Sequence, residues 1–318
     1  MIKVAIMGFG TIGSGVAEVL DINKKSIAAR VGDEVELKYV LDLRDFEGDP
    51  IQEKIVHDYK VIAEDPEVAI VVETMGGVEP AYTFVKTMLE AGKHVTTSNK
   101  ALVAAKGAEL IALAKEKNVN FMFEASVGGG IPIIRPLNSC LTADEIEEIT
   151  GIVNGTTNYM MTEMTEKGAD FNEVLKDAQA KGYAEKDPTA DVEGYDAARK
   201  LSILSTLAYH RRVYWKDFYL EGISNLDMKD MDYAKKLGCK IKLVGQSKKN
   251  KENVTGFVRP VLVDNNSLLS KIDNEYNIVV LNGNSVGELS FVGKGAGKEP
   301  TGSAVYADLI DIFDKRIS

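Results

Sequence analysis

The stretch IKVAIMGFGTIG, residues 2–13, is an apolar run that empties into glycines at positions 8, 10 and 13. Residues 2–7 read as a buried strand, Gly8-Phe9-Gly10-Thr11-Ile12-Gly13 as a turn, and the chain through about Leu20 as a helix. In that strand–turn–helix setting the G-x-G-x-x-G spacing is a dinucleotide-binding fingerprint, far stronger than the bare pattern. Gly8 permits the sharp turn, Gly10 lets a pyrophosphate approach the backbone, and Gly13 allows helix and strand to pack closely. The helix N-terminus at Thr11 and Ile12 adds N–H groups and the positive end of the helix dipole.

Outward from that turn, a second strand, residues 35–41, ends at Asp42 with Arg44 close behind. An acid there usually binds a ribose 2′-hydroxyl, whereas a nearby arginine accommodates a 2′-phosphate. Both are present, so NAD and NADP stay open. The apolar run VAIVV, 68–72, is a further strand and leads into Glu73-Thr74-Met75-Gly76-Gly77. Residues 80–92 read as a helix, 94–97 as a strand followed by Ser98-Asn99-Lys100, about 108–117 as a helix, and 121–124 as a strand. Strands alternating with helices predict right-handed βαβ units and an α/β, Rossmann-type doubly wound parallel sheet. Sites in such sheets lie beyond the carboxyl ends of the strands. The 8–13 turn, 74–77 with Met75, and 98–100 with Ser98 and Lys100 all meet that condition. Lys100 is thus placed near the nicotinamide end of a cofactor; otherwise it is a solvated lysine flanking a helix.

Gly128-Gly129-Gly130 and then Ile131-Pro132 mark a break, after which the periodicity changes. The remainder predicts an α+β domain: strands at 146–153, 240–244, 254–260 and 278–281, with helices at 159–167, 171–180 and 195–209. A glycine-rich run at 293–297 precedes a last helix, about 303–314, expected to return to the first domain. The expected division is a dinucleotide-binding domain over 1–130, with 300–318 packing back on it, and a catalytic and dimerisation domain over 131–299.

Within the second half, GYAEKDPTADVEGYDAARK at 182–200 gathers Glu185, Asp187, Asp191, Glu193, Asp196 and Lys200 around an Asp-Pro turn and a helix start. Such ionisable density suits a charged substrate, with Lys200 as a proton carrier. The plain alternative is a solvated loop followed by an ordinary i,i+4 pair, Asp196 with Lys200.

The chain has 318 residues and a formal charge of −10, which argues against nucleic acid or an anionic membrane surface as main partner. Its cysteines, Cys140 and Cys239, are far apart and show no metal-ligand spacing, which fits a reduced cytosolic setting. The first residues read as a strand rather than a signal peptide, and no apolar run reaches bilayer-spanning length. A soluble protein of the cytoplasm is expected.

Asn154-Gly155-Thr156-Thr157-Asn158, the 178–200 pattern A-x3-G…DP-x2-D-V-x-G-x-D-x3-K, Ser98-Asn99-Lys100 and the 293–301 run together strongly resemble homoserine dehydrogenase. The resemblance covers essentially the whole chain, in order. It implies reversible, NAD- or NADP-dependent interconversion of L-homoserine and L-aspartate 4-semialdehyde. It implies Lys200 as the acid/base residue, Lys100 beside the reacting oxygen, and Glu185 on the substrate's ammonium group. Asp196 would contact the substrate, with Asp191 supporting it, while Gly182, Gly295 and Gly297 would approach the cofactor. Family members bind a monovalent cation, Na⁺ or K⁺, through main-chain carbonyls. By position these belong to Glu124, Val127, Gly129 and Ile131. A homodimer is expected, as is a catalytic core without the ACT regulatory module that many relatives carry, since the sequence stops at Ser318.

The chemistry suits these residue types. Hydride leaves the carbinol carbon of homoserine, and its hydroxyl proton must pass to a base, which a desolvated lysine can be. Two rivals predict different residues. An aspartate-semialdehyde dehydrogenase needs a cysteine nucleophile with a histidine base. Cys140 and Cys239 have no evident partner, and His94 and His210 read as structural or surface residues. A nucleotide-sensing module would need no acid/base cluster and would usually add a basic DNA-binding unit.

Overall fold

The computed structural model describes residues 1–251 and 253–313. The chain divides into two compact units, Met1–Gly130 together with the chain from Gly297 onward, and Ile131–Ala296. Residues 314–318 of the segment expected to pack back lie outside the described residues.

In the first unit, β1 (Ile2–Met7), β2 (Val35–Leu41), β3 (Ile55–Val56), β4 (Val68–Glu73), β5 (His94–Thr97) and β6 (Phe121–Met122) form a six-stranded sheet in the order β3-β2-β1-β4-β5-β6. All its pairings are parallel. The order reverses between β1 and β4, and a doubly wound sheet binds its ligand at such a switch point. β1 is fully buried from Val4 to Met7 because helices cover both faces of a parallel sheet.

Those helices are α1 (Thr11–Val31), α2 (Tyr59–Glu64), α3 (Ala81–Glu90), α4 (Lys100–Glu116) and the closing helix Lys298–Phe313. The closing helix lies against α1 with almost no side chain between the backbones. A Cβ on Gly15 would sit 2.5 Å from the Lys298 carbonyl oxygen, and one on Gly302 would sit 2.9 Å from the Gly15 oxygen.

Several boundaries differ from the sequence reading. α1 continues past Leu20 to Val31, because Ile27 and Val31 extend its buried stripe; left-handed Gly32 (φ 74°) ends it. α4 begins at Lys100, not near 108, because Asn99 caps it with a side-chain oxygen accepting from the Leu102 N–H, and Gly107 is tolerated inside. β6 stops at Met122, and a 3₁₀ turn, Glu124–Ser126, replaces the rest of the expected strand. The last helix starts at Lys298, five residues before Ser303.

In the second unit, β7 (Ile146–Ile152) is followed by α5 (Gly155–Lys167), α6 (Phe171–Ala180), α7 (Thr189–Val192), α8 (Tyr195–Ala208), β8 (Tyr219–Leu220) and α9 (Met228–Lys236). Then come β9 (Cys239–Asn250), β10 (Asn253–Asp264), β11 (Tyr276–Gly283) and β12 (Gly287–Lys294), giving a six-stranded sheet ordered β12-β11-β7-β9-β10-β8. It is antiparallel except where β8 meets β10. α5 and α8 pack on its central strands and set the loop after β7 against the start of α8. α5 starts at Gly155 rather than Tyr159, since Asn154 is its N-cap. β9, β10 and β11 outrun the short apolar segments that announced them, and β12 had no predicted counterpart, because the paired registers continue through polar, half-exposed positions.

One buried charge holds this unit's centre. Lys242, 1% exposed, donates to Asn158 Oδ1 (3.0 Å), the Ile272 carbonyl (2.6 Å) and Asp273 Oδ1 (2.9 Å). Asn158 Nδ2 in turn donates to the carbonyls of Ile272, Asn274 and Tyr276. The second asparagine of the 154–158 motif therefore serves the fold.

Candidate active site

The glycine turn has the geometry its spacing predicted. Gly8 adopts φ 96°, and a Cβ there would press on the Met75 side chain at 2.9 Å. A Cβ on Gly13 would lie 2.0 Å from the Gly8 carbonyl oxygen, so helix and turn touch backbone to backbone. Over Gly10 the surface is open: a Cβ would meet nothing within 4 Å. The first turn of α1, with Thr11 and Ile12, carries no acidic residue. Open backbone at an acid-free helix start fits a pyrophosphate. A cavity of about 510 Å³ runs from this turn past Asp42, Arg44, Thr74 and Met75 to Phe84.

Asp42, at the end of β2, is saturated. Its Oδ2 accepts from the Phe9 N–H (2.8 Å) and Arg44 Nη2 (3.0 Å), and its Oδ1 from the Arg44 N–H (3.0 Å) and Nε (2.9 Å). Hydrogen bonding from the Arg44 side chain holds this carboxyl well below the usual carboxylate range, against the opposing effect of burial. The Arg44 side chain is 60% exposed and also donates to the Phe9 carbonyl.

At the far end of β4 a residue absent from the sequence-level candidates ties the remaining loops together. Glu73 is fully buried; its Oε1 accepts from the Met75 N–H (2.7 Å), and its Oε2 from Thr97 Oγ (2.5 Å). Asn99, besides capping α4, donates from Nδ2 to the Gly77 carbonyl (2.6 Å). The 74–77 loop and the 98–100 turn are thus cross-braced, and half-buried Lys100 opens α4 directly beyond the brace. Ser98 joins through its N–H to the Glu73 carbonyl (3.2 Å). Burial pushes the Glu73 carboxyl up, opposed by its hydrogen bonds from Thr97, Met75 and Asn99. An acid in the last position of an apolar strand was the only available signal.

In the second unit, Lys200 is buried on α8, with Nζ 2.8 Å from Asp196 Oδ2 and 2.8 Å from the Val153 carbonyl oxygen. Asn154 Nδ2 donates to the same Asp196 oxygen (2.9 Å) and to Asp191 Oδ1 (2.7 Å). The Asp196–Lys200 spacing is thus a buried pair inside a hydrogen-bonded network, not a solvated one. Glu185 is not part of it. That residue is exposed in the loop after α6, where its carbonyl accepts from Gln179 Nε2. Asp187 and Glu193 are structural: Asp187 accepts from the Thr189 N–H and hydroxyl, and Glu193 accepts from Ser224.

Gly182 (φ 77°) has open space around it. Gly295 has none, since a Cβ would fall 1.3 Å from Asn277 Oδ1. Gly297 adopts φ 131°. At the expected cation site, Gly129 follows Gly128 as the second of two consecutive left-handed glycines, and the Glu124 carbonyl accepts from the Val127 N–H at 3.4 Å. No cluster of three or more His, Cys, Asp or Glu side chains arranged for a metal occurs among the described residues. No helix among them is long and apolar enough to cross a membrane.

A Rossmann sheet whose open glycine turn, acid–arginine pair and braced loops share one end, in a chain that also buries a lysine on a carboxylate, defines a nicotinamide-dependent oxidoreductase. The family model for the NAD-binding domain of homoserine dehydrogenase matches residues 8–124, and that for homoserine dehydrogenase matches 132–310. A homoserine dehydrogenase from Neisseria gonorrhoeae is 43% identical over 98% of this chain and 72% of its own. The crystal structure of one from Thiobacillus denitrificans matches with a TM-score of 0.94 at 42% identity, covering 98% of this chain and 73% of that one. A hyperthermophilic archaeal homoserine dehydrogenase in complex with NADPH matches at 27% identity and a TM-score of 0.82, covering 98% and 97%. The chain belongs to the homoserine dehydrogenase family.

Proposed function

We propose that the chain interconverts L-homoserine and L-aspartate 4-semialdehyde with Lys200 as the general acid/base and Lys100 assisting. The observation that carries this reading is the buried Lys200–Asp196 pair. The Lys200 ammonium has three hydrogens, of which Asp196 and the Val153 carbonyl engage two. The third is available to the substrate oxygen, which receives the proton on reduction and returns it on oxidation. The nicotinamide, when bound, supplies or accepts the hydride. Asp191 and Asp196 position the substrate, and the exposed Glu185 binds its ammonium group.

The same reading extends to the cofactor. A carboxylate offers about four acceptor positions, and those of Asp42 are taken by Phe9 and Arg44. That arrangement leaves no acceptor for a ribose 2′-hydroxyl and a guanidinium facing the cavity, which favours NADP over NAD. Consecutive left-handed glycines at 128 and 129 suit a main-chain carbonyl site for Na⁺ or K⁺ built from Glu124, Val127, Gly129 and Ile131. The working form is a homodimer in the cytoplasm. Free thiols at Cys140 and Cys239 and the edge strand β12 are consistent with it.

Homoserine-dependent reduction of NADP and of NAD at alkaline pH tests the reading. NADP should be preferred about tenfold or more in kcat/KM, the value of one charge-assisted hydrogen bond. Arg44→Ala should lower kcat/KM for NADP and, by freeing two acceptor positions on Asp42, raise that for NAD. No turnover with either cofactor sinks the assignment, and a preference for NAD sinks the role of Arg44.

A further inference from the structure

Asn154, the first residue of the 154–158 motif, both caps α5 and meets the acids beside Lys200, a double engagement to which the proposed mechanism gives no role. Asn154 is 5% exposed, just after β7, at the N-cap of α5. Its Oδ1 accepts from the Thr157 N–H (2.8 Å) and the Thr157 hydroxyl (2.8 Å). Those donors fix which end of the amide is oxygen. Its Nδ2 then faces two carboxylates, Asp191 at 2.7 Å and Asp196 at 2.9 Å. All four hydrogen-bonding positions of the amide are filled.

The neighbouring Val153 carbonyl holds Lys200 directly, at 2.8 Å. Residues 153 and 154 therefore grip the lysine twice, once by the backbone and once through the Asp196 oxygen that Asn154 and Lys200 share. A cap for α5 requires only the Oδ1 side of the amide. Ser, Thr or Asp would serve a cap equally well, but none of them presents two N–H donors to two acids. A neutral double donor serves two neighbouring carboxylates near one lysine without adding a charge of its own.

We infer that Asn154 is a positioning residue for catalysis: it sets the places of Asp191 and Asp196 and, through Asp196, of the Lys200 ammonium. This rests on Lys200 being the acid/base residue. The expected consequence is a split between helix capping and turnover, which substitution can separate.

Asn154→Asp is nearly isosteric and keeps the cap oxygen, but it removes both donors and adds a third carboxylate. Its kcat with homoserine should fall about 10- to 100-fold, as for a reacting group displaced by about 1 Å, while KM for the nicotinamide cofactor holds. Asn154→Ser also keeps a cap and should fall in the same direction with a thermal midpoint near that of the parent. The exchange Asn154→Asp with Asp191→Asn restores one amide–carboxylate bond at unchanged total charge, and it should regain part of the lost kcat. If Asn154→Ser, folded and binding cofactor normally, turns over at the parent rate, or if the exchange is no better than Asn154→Asp, the inference fails. Lys200→Met separates the two levels. Retained kcat in that variant overturns the acid/base reading itself, whereas its loss beside a fully active Asn154→Ser overturns only the role of Asn154.

Discussion

Two glycines of one fingerprint should fail in opposite ways when each is replaced by alanine. At Gly13 the new Cβ would lie 2.0 Å from the Gly8 carbonyl oxygen and 3.0 Å from Thr74 Oγ. Real Cβ atoms essentially never approach within 3.0 Å, so the helix must retreat from the turn by 1 Å or more. The Gly8 oxygen is also the acceptor for Thr74 Oγ at 2.7 Å, and that bond is strained by the same movement. Overpacking costs about 1–3 kcal/mol and a lost hydrogen bond about 1 kcal/mol, so the first unit should lose roughly 2–4 kcal/mol. For a domain of this size that lowers the melting midpoint by roughly 5–15 °C. At Gly10 the backbone is already compatible with alanine (φ −83°, ψ −157°), and nothing lies within 4 Å of the new carbon. Gly10→Ala should therefore melt at the parent temperature or about 1–3 °C above it, because its unfolded chain loses entropy. It should nevertheless bind cofactor at least about tenfold more weakly, since the methyl stands where the pyrophosphate approaches. Calorimetry of both variants, paired with titration of NADP against protein fluorescence, reads the two effects separately. Parental cofactor affinity in Gly10→Ala would refute the placement of the pyrophosphate, and a parental melting point in Gly13→Ala would refute the helix–turn contact.

Glu73 gives a pH signature. Burial raises its carboxyl pKa above the ordinary 4.5, so the native state binds a proton that the unfolded chain has released. This contribution is fully present below that value and is lost as the pH rises through the folded value. Glu73→Gln should accordingly gain on the parent in melting temperature as the pH is raised above 4.5; a difference that stays constant with pH rules this out. Glu185→Gln should raise KM for homoserine by about 10- to 100-fold, the worth of a charged hydrogen bond, with a smaller effect on kcat. An unchanged KM removes Glu185 from the substrate's ammonium group.

What the sequence determined by itself is whatever short-range chemistry decides. An apolar strand, three glycines at fixed spacing and a helix start lie within twelve residues, and their turn and dipole follow from local backbone preferences. Alternation of strands and helices carried the parallel sheet in the same way, and the whole-chain motif order carried the family. Helix starts escaped where the signal was a single capping side chain, Asn99 before Lys100 and Asn154 before Gly155, because a cap is recognised only once its oxygen meets an N–H.

The tertiary structure alone decided which charges meet. Asn154 reaches Asp191 and Asp196 across 37 and 42 residues of chain, and Glu73 reaches Thr97 across 24. No local periodicity encodes such distances. They arise when the sheet order places the loop after β7 against α8, and the end of β4 beside the end of β5. The pair Asp42 and Arg44 makes the same point at short range. Their order in sequence leaves both cofactors open, and the preference for NADP proposed above rests on the count of donors already on Asp42. Hydrogen-bonding capacity is finite, and what has consumed it is visible only in three dimensions.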